Sequence, residues 1–267
     1  MTTSHDPAQF TAVDVNDADF LIGFLDARYD LPGELRVKEL IVEALELRPG
    51  LAVLDVGCGT GVDTCRIADL DTGGSVIGLD HSARMVAEAR RRAAAAGSAA
   101  EFVEGDAVAL PFPDATFDRC RVERALMHLA TPSVAVGEMA RVTRPGGIVV
   151  ASEIDAATAF LGAGSSSVSS LLEDELVSAF PSSRVGRTLA RLLADAGLVD
   201  VRCVPLVVLN SVAFVRMVVG DRLQGLVDAG VVTAAAAGEF WLEQEEGEKA
   251  GWLRTGVVCF TASGRKP

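Results

Sequence analysis

The chain has 267 residues, of which 49% are hydrophobic, 23% charged and 5% aromatic, a composition that indicates a folded protein and not a disordered one. Its formal net charge of -13 argues against a nucleic-acid partner, because such binding depends on clustered lysine and arginine. No apolar run reaches the roughly 18 residues of a membrane span, and the first residues lack the parts of a signal peptide. We therefore expect a cytoplasmic protein.

Residues 1–50 are predicted to form an N-terminal helical cap. Residues 1–16 are polar and without pattern, and we expect them to be frayed or to lie over the site. Apolar residues at helical spacing predict a helix over 17–27 and another over 34–46. The predicted apolar face of the second helix comprises Leu35, Leu40, Ile41, Ala44 and Leu45. The single tyrosine, Tyr29, falls in the connector between them, where it either closes over a ligand or packs half-buried.

Strands and helices are predicted to alternate from residue 51 to residue 155. The predicted strands are 51–56, 75–80, 101–104, 118–122 and 148–152. The predicted helices are 62–70, 83–96 and 132–142. Strands that alternate with helices at this spacing form a parallel sheet through right-handed crossovers.

The pattern is looser beyond residue 155. Residues 156–185, which include the sequence GAGSSSVSS, and residues 210–250 are predicted to be variable, helical segments that cap a ligand; the serine-rich part is expected to be mobile. A helix and strands over 186–209 and 251–267 are predicted to complete the sheet with a hairpin. The whole chain is thus expected to be one domain, with residues 51–155 as its binding core.

The cysteines are scattered and form no CxxC pair. This spacing suggests neither a disulfide framework nor a metal site. We interpret them as small buried hydrophobic residues. They are Cys58, Cys65, Cys120, Cys203 and Cys259.

The sequence VLDVGCGTG at residues 53–61 is the pattern of a buried strand that opens into a glycine turn. Such turns bind nucleotides at the carboxyl ends of the strands of an open sheet. Val62 stands where the dinucleotide fingerprint has its third glycine. Asp55 and Asp63 flank the turn, and two carboxylates there would repel a pyrophosphate but attract an ammonium or sulfonium cation.

Two further acids end the next predicted strands. Asp80 is placed to accept both hydroxyl groups of a ribose, and Asp106 is placed to bind the amino group of an adenine. A nucleoside site with a cation and without phosphates points to S-adenosylmethionine as the cofactor. The alternative, a turn that is only a tight structural connection, does not account for Asp80 and Asp106.

These segments resemble the class I S-adenosylmethionine-dependent methyltransferases, and most closely the type 11 group with its ubiquinone and menaquinone C-methyltransferases. The matching segments between residues 35 and 155 are VLDVGCGTG, GLDHSARM, EGDAVALPFPDATFD, GEMARVTRPGG and the strand 148–152. The resemblance implies an α/β fold with a Rossmann-like seven-stranded sheet, mostly parallel with an antiparallel last strand, helices on both faces and helical substrate-capping insertions.

The resemblance also implies which residues bind the cofactor. The implied set is Asp55, Gly57, Cys58 and Gly59 at its amino acid end, Asp80 on the ribose, Ser82 and Met85 beside the adenine, Asp106 and Ala107 at the adenine edge, and Glu123. Their places in the chain add Tyr29, His81 and His128 as further cofactor-binding candidates. Glu123 would lie near the transferred methyl group. Many relatives carry a small or hydroxyl residue at that point, so this acid is a departure.

Several side chains keep two interpretations. Glu123 and Arg124 either contact the ligand or form a salt bridge that anchors the fourth helix. His128 is either a base or a histidine satisfied by a backbone group. Glu153 and Asp155, at the end of the fifth strand, are expected to line the substrate pocket. If a base is needed, the order of preference is His128, Asp155 and then Glu153.

The resemblance implies in-line methyl transfer to an oxygen, carbon or nitrogen of a small molecule by a monomer or homodimer. The variable segments contain Phe160, Phe180, Phe214, Phe240 and Trp241. These aromatic residues favour a hydrophobic acceptor, such as a secondary-metabolite intermediate or a quinone. Two alternatives stay open: an enzyme of this fold that catalyses another reaction, such as cyclisation, and a non-catalytic partner that binds the cofactor or nothing.

Overall fold

The computed structural model describes residues 10, 14, 18–29, 31–70, 73–162, 167–252 and 255–267. Its strands are β1 (Val53–Val56), β2 (Val76–Asp80), β3 (Glu101–Glu104), β4 (Phe117–Glu123), β5 (Thr143–Leu161), β6 (Val199–Leu209) and β7 (Thr255–Arg265). Its α-helices are α1 (Ala18–Tyr29), α2 (Pro32–Leu45), α3 (Val62–Asp69), α4 (Ala83–Ala96), α5 (Pro132–Val142), α6 (Ser167–Ser178), α7 (Leu189–Asp195), α8 (Val212–Asp228) and α9 (Ala234–Ala250). Short 3-10 helices lie at Leu126–His128 and Gly186–Thr188.

The strands form one seven-stranded sheet in the order β3-β2-β1-β4-β5-β7-β6. Strands β1 to β5 pair in parallel, and β7 runs antiparallel to both of its neighbours. The predicted fold is therefore confirmed. The chain order reverses between β1 and β4, so the crevice for a ligand is expected at the carboxyl ends of these two strands.

Strand β5 is much longer than predicted. The prediction ended it at residue 152 and placed a break at residues 144–147, but the strand runs from Thr143 to Leu161. Its pairing with β7 continues to Leu161 opposite Thr255, across a register shift between Asp155 and Phe160. The partner strand lies about a hundred residues away in sequence, so a local pattern carries no information about this extension.

The two N-terminal helices differ from the prediction in their ends and in the buried face. Helix α1 continues to Tyr29, so this residue lies in its last turn and not in a connector. Helix α2 begins at Pro32, whose restricted φ suits the first turn of a helix. The predicted apolar face of α2 included Leu35, which is 42% exposed. Ile41 and Leu45 are buried as predicted, and the rest of the buried face comprises Glu34, Val37 and Lys38.

The C-terminal helices form an apolar unit of their own. Residues predicted as one helical segment form α8 and α9, whose N-termini are capped by Ser211 and Thr233. Together with α6 and the end of β5, these helices bury a separate cluster that includes Leu172, Val219 and Phe240. Residues 163–166 of the serine-rich segment lie outside the described residues.

Helices cover both faces of the sheet and bury a core on each. Helix α2 packs on β1 and β5 through Val37, Ile41 and Leu45, and α5 and α7 pack on the other face. Of the cysteines, Cys120 and Cys259 are buried as predicted, Cys58 and Cys65 are partly buried, and Cys203 is exposed on the edge strand β6. None of the helices in the described part of the chain is long and apolar enough to cross a membrane.

Candidate active site

A cavity of about 710 Å³ lies at the carboxyl ends of the parallel strands. Most of the predicted site residues line it together: Tyr29, Asp55, Gly57, Cys58, Gly59, Asp80, His81, Met85, Asp106, Ala107, Glu123 and His128. Ser82, Glu153 and Asp155 are not among the lining residues. The topology explains this convergence, because the ends of neighbouring parallel strands meet at one edge of the sheet.

The glycine turn requires glycine for two physical reasons. Gly57, Gly59 and Gly61 have φ values of 69°, 52° and 77°, a left-handed conformation that other residues adopt only at a cost. A Cβ atom on Gly57 would also lie 2.6 Å from the Cβ of Ala125, which follows β4. The backbone of the turn therefore forms the cavity wall directly, next to the loop after β4.

Asp80 connects the glycine turn to helix α4. Its Oδ2 accepts a hydrogen bond from the Gly59 amide at 2.9 Å, and its Oδ1 accepts one from the Ser82 amide at 3.0 Å. The residue is 7% exposed and faces the cavity. Its carboxylate is thus held rigidly at the end of β2, where a nucleoside ribose was predicted. Asp106 is exposed at the end of β3, and its Oδ1 accepts from the Val108 amide.

Ser82 serves as the N-cap of α4. Its hydroxyl accepts from the Met85 amide at 3.1 Å and donates to Asp14 at 2.5 Å. Asp14 also accepts from the amides of Ala83 and Arg84, and the Ser82 hydrogen bond is the main reason why the pKa of Asp14 is lowered. The Ser82 hydroxyl therefore both donates and accepts within the protein, and the residue is 1% exposed and does not line the cavity.

A buried ion network forms the floor of the cavity below the glycine turn. Its members are Arg28, Lys38, Asp55, Asp63, Arg121 and Glu123. Lys38 Nζ lies 2.7 Å from Glu123 Oε1, and Arg121 Nη2 lies 2.6 Å from Glu123 Oε2. Burial alone would raise the pKa of Glu123, but the neighbouring cations outweigh it and hold this pKa well below its ordinary value.

The same network pairs the two acids that flank the glycine turn with cations. Asp55 and Asp63 were expected to present uncompensated carboxylates beside the turn. Asp55 instead accepts from the Thr64 hydroxyl at 2.7 Å and lies 3.4 Å from Arg121 Nε, and Asp63 pairs with Lys38 and Arg121. Burial raises the pKa of Asp55, and Arg121 offsets this rise only in part. The cations of this floor therefore compensate its acids.

Arg124 forms a second ion pair, with Glu34 on α2. Its backbone has a φ of 57°, a left-handed conformation that is uncommon for a residue with a side chain. Both members of the pair line the cavity. Glu123 and Arg124 thus each form an ion pair and each line the cavity. Their partners include residues of α2, and the helix after β4 supplies none of them.

The structure places Glu153 and Asp155 away from the cavity, contrary to the expectation that they line it. Side chains alternate along a strand, and Ile154 between them is the residue that lines the cavity. Glu153 Oε1 accepts from the Leu126 amide at 2.6 Å, and burial raises the pKa of Glu153 to about 8. Asp155 forms an ion pair with Arg187. Both acids are fully buried.

His128 lies in the short 3-10 helix after β4 and lines the cavity. Its ring is flanked by two phenylalanines, Phe10 and Phe180, each with a centroid distance of 5.4 Å. These contacts orient the imidazole at the border between the polar floor and the apolar part of the cavity. Of the three residues predicted as possible bases, His128 is the one that lines the cavity.

The remainder of the cavity is an apolar lobe. Its walls come from the end of β5, from α6, α8 and the start of β7. They include Ala156, Ala159, Leu161, Leu176, Phe180, Phe214, Val215, Val218, Val219 and Val257. Of the aromatic residues expected here, Phe180 and Phe214 line the lobe, whereas Phe160, Phe240 and Trp241 do not. Asn210 is a polar residue within this lining.

The predicted site residues did not include two charged residues of α2 that line the cavity. Glu34 and Lys38 lie one helical turn apart on α2 and are 2% and 3% exposed. Their spacing could have identified them, because positions 34, 37, 38, 41 and 45 lie along one face of a helix. Charged residues on such a stripe face the core, where they need partners.

A family comparison identifies part of this region. Residues 54–151 match the Methyltransf_11 family, described as a methyltransferase domain. An uncharacterised 37.1 kDa protein in transposon TN4556 of Streptomyces fradiae is 35% identical over 234 residues, which cover 83% of this chain and 65% of that protein. Demethylmenaquinone methyltransferase of Beutenbergia cavernae is 38% identical over 133 residues, which cover 47% of this chain and 53% of the enzyme. The matches thus span about half to two thirds of these relatives' lengths.

Solved structures share the fold. Phosphoethanolamine N-methyltransferase 2 of Haemonchus contortus, in complex with phosphomonomethylethanolamine and S-adenosylhomocysteine, aligns with a TM-score of 0.62 and 18% identity over 99% of this chain and 61% of that chain. The [4+2]-cyclase SpnF aligns with a TM-score of 0.55 and 24% identity over 87% of this chain and 81% of that chain. At these identities the likeness concerns the fold alone.

Proposed function

Because the chain carries a class I methyltransferase domain of the type 11 group at residues 54–151, we propose that it is an S-adenosylmethionine-dependent methyltransferase of hydrophobic small molecules. The observation that carries the proposal is the shape of one cavity. It joins a glycine turn and the strand-end acids Asp80 and Asp106 to a large apolar lobe. A nucleoside cofactor at one end and an apolar acceptor at the other would meet near Glu123 and His128.

The residues of the polar end fit the cofactor. The backbone of the glycine turn lines the cavity, and the Asp80 carboxylate is fixed beside it. Asp80 would hold the ribose, Met85 and Ala107 would border the adenine, and the floor network would hold the charged amino acid end. S-adenosylmethionine supplies, when bound, a methyl group that is already activated by the sulfonium charge.

The protein's own contribution to transfer is alignment and exclusion of water. The apolar lobe would hold the acceptor against the polar end, and preorganised alignment of two reactants is worth several kcal/mol of barrier. A base is needed only for an acceptor that carries a proton on its nucleophilic atom. His128 would take that proton, because it faces the cavity between the two ends. Glu153 and Asp155 face away from the cavity, so we do not propose either of them as the base.

The relatives suggest a class of acceptor. Demethylmenaquinone methyltransferase of Beutenbergia cavernae is named for a quinone substrate, and the apolar lobe suits a ring of that kind or a secondary-metabolite intermediate. Transfer to carbon, oxygen or nitrogen is compatible with this lobe. We place the enzyme in the cytoplasm as a monomer or homodimer. We also propose one domain in which residues 1–50, 156–185 and 210–250 cap the core 51–155, completed by 186–209 and 251–267.

The test is cofactor binding followed by turnover. S-adenosylmethionine and S-adenosylhomocysteine are titrated into the protein and into Asp80→Ala by calorimetry. We expect binding to the unaltered chain and at least about a tenfold loss in the variant, since a ribose hydrogen bond to a carboxylate is worth about 1.5–3 kcal/mol. Unchanged affinity in a folded Asp80→Ala would overturn the site assignment.

Turnover distinguishes transfer from the cyclase alternative. A panel of quinols, phenols and polyenes is incubated with the cofactor, and S-adenosylhomocysteine is quantified together with the organic product. Methyl transfer releases one S-adenosylhomocysteine for each product molecule. A product that forms without it would instead indicate a reaction such as that of the [4+2]-cyclase of the same fold.

A further inference from the structure

The Glu34–Arg124 pair leaves hydrogen-bonding groups unused. Arg124 Nη2 donates to Glu34 Oε1, but Glu34 Oε2 and Arg124 Nε have no partner among the described residues. The two side chains are only 3% and 13% exposed. Glu123 differs, because each of its carboxylate oxygens is bonded to a cation. An unpaired buried polar group costs about 1–3 kcal/mol, so a missing partner is expected at this pair.

The pair lies on the side of the cavity that holds the apolar lobe. Arg124 follows β4, whose neighbour on that side is β5, whereas the glycine turn follows β1 on the other side. Gly256 and Val257 of β7 and Asn210 also line the cavity. Both residues line the cavity, so a ligand in the lobe lies against the pair. The two unpaired atoms are buried in this structure, and because the last torsion of a glutamate is broad, rotation of the Glu34 carboxylate would bring Oε2 to such a ligand.

The unused groups define the chemistry of the partner. A carboxylate oxygen only accepts hydrogen bonds, and a guanidinium N–H only donates them. A hydroxyl group both donates and accepts, so it satisfies the two at once. The formal charges of the pair cancel; Glu34 repels an anionic head group and Arg124 repels a cationic one. We infer that Glu34 and Arg124 bind a hydroxyl group on an otherwise apolar methyl acceptor. This inference rests on the proposed function, since it names the head group of that acceptor.

The test compares three naphthalene probes of similar shape. 1-Naphthol, 1-methylnaphthalene and 1-naphthoate are titrated into the full chain, with and without S-adenosylhomocysteine, and binding is followed by calorimetry. We expect 1-naphthol to bind about tenfold more tightly than the other two, the size expected for hydrogen bonds to charged groups. Glu34→Gln and Arg124→Met should each reduce this preference to less than about threefold.

Matched controls come from the solvent-facing side of the same helix. Glu43→Gln and Arg36→Met, at side chains that are 63% and 49% exposed, should keep the wild-type preference. If Arg124→Met fails to fold, Glu34→Gln alone decides, because it keeps an acceptor for Arg124. Equal binding of 1-naphthol and 1-methylnaphthalene, tighter binding of 1-naphthoate, or a preference retained in folded Glu34→Gln would overturn the inference. Absence of S-adenosylhomocysteine binding together with a 1-naphthol preference would refute the proposed function and support the hydroxyl site.

Discussion

Lys38 and Glu123 form an ion pair in which Nζ and Oε1 are 2.7 Å apart and each side chain is 3% exposed. The pair joins α2 to the end of β4, the strand beside the chain reversal in the sheet. One turn earlier on α2, Glu34 pairs with Arg124, the residue after Glu123. Two successive residues at the strand end are thus tied to two residues that share one face of the helix, so the helix is fixed against the cavity floor.

Removal of Lys38 should be strongly destabilising. Lys38→Met leaves Glu123 and Asp63 with one fewer cation in a buried site, and breaking a buried pair from one side costs about 3–5 kcal/mol. The free energy of unfolding from urea titration measures this. In the double variant Lys38→Met/Glu123→Gln, we expect recovery of more than half of the loss. Arg36→Met, on the exposed side of α2, should change stability by less than about 0.5 kcal/mol. A Lys38→Met loss no larger than that of Arg36→Met would contradict the importance of the pair.

Glu153 should make stability depend on pH. Burial raises its pKa from 4.5 to about 8. Below pH 4.5 the carboxyl is protonated in both states; between the two values the unfolded state ionises while the folded state keeps the proton. The free energy of unfolding should therefore fall as pH rises across this window and level off above about 8.

The measurement is urea unfolding at a series of pH values from 5 to 9, repeated for Glu153→Gln. The variant cannot ionise and should lose this part of the slope. Glu43→Gln, whose side chain is 63% exposed, should retain it. If Glu153→Gln shows the wild-type slope, the carboxyl is already ionised in the folded protein at neutral pH and our interpretation of its burial is wrong.

His128→Asn should lower turnover of acceptors that must lose a proton. General-base catalysis contributes about 100-fold to 10,000-fold, so kcat for a hydroxyl acceptor should fall by at least about 100-fold. Affinity for S-adenosylhomocysteine should stay within about twofold of wild type. Phe180→Leu, which alters a ring contact of the same histidine, controls for packing. Undiminished turnover in His128→Asn would remove this residue from the list of bases.

Gly61→Ala should destabilise the protein more than Gly97→Ala. Both glycines have positive φ values, 77° and 67°, so each alanine carries the same backbone strain. A Cβ on Gly61 would lie 2.6 Å from Phe102 and 2.8 Å from Ala89, whereas nothing lies within 4 Å of one on Gly97. We expect about 1 kcal/mol for Gly97→Ala and at least about 2 kcal/mol for Gly61→Ala, since overpacking adds about 1–3 kcal/mol. Thermal unfolding compares them, and equal losses would show that the turn tolerates the added methyl group.

The predicted elements were accurate where the chain's local pattern is strong. The ends of β3 and α5 are those predicted from apolar alternation and from flanking proline and glycine. The extension of β5 could not be predicted, because it depends on pairing with β7 far away in sequence. The residues within a short window of sequence do not indicate whether a strand pairs with a distant one.

The acids of the cavity were predictable, but their partners were not. Asp55 and Asp80 lie in the last residues of parallel strands and Asp106 comes just after one, and topology alone brings strand ends together. The helical stripe on α2 indicated that Glu34 and Lys38 face the core, but the residues that they pair with became evident only with the packing of α2. The placement of Glu153 could have been improved from the sequence, because side chains alternate along a strand and Ile154 is apolar.

The floor network has a consequence for the solution behaviour of the protein. Its three cations and three carboxylates have formal charges that sum to zero, although the chain as a whole carries -13. Added salt screens exposed charges over a Debye length of about 8 Å at physiological ionic strength, but it hardly affects buried pairs. Added salt should therefore change the rate at which acidic molecules associate with this protein. The affinity of the cavity for a neutral molecule should stay nearly constant.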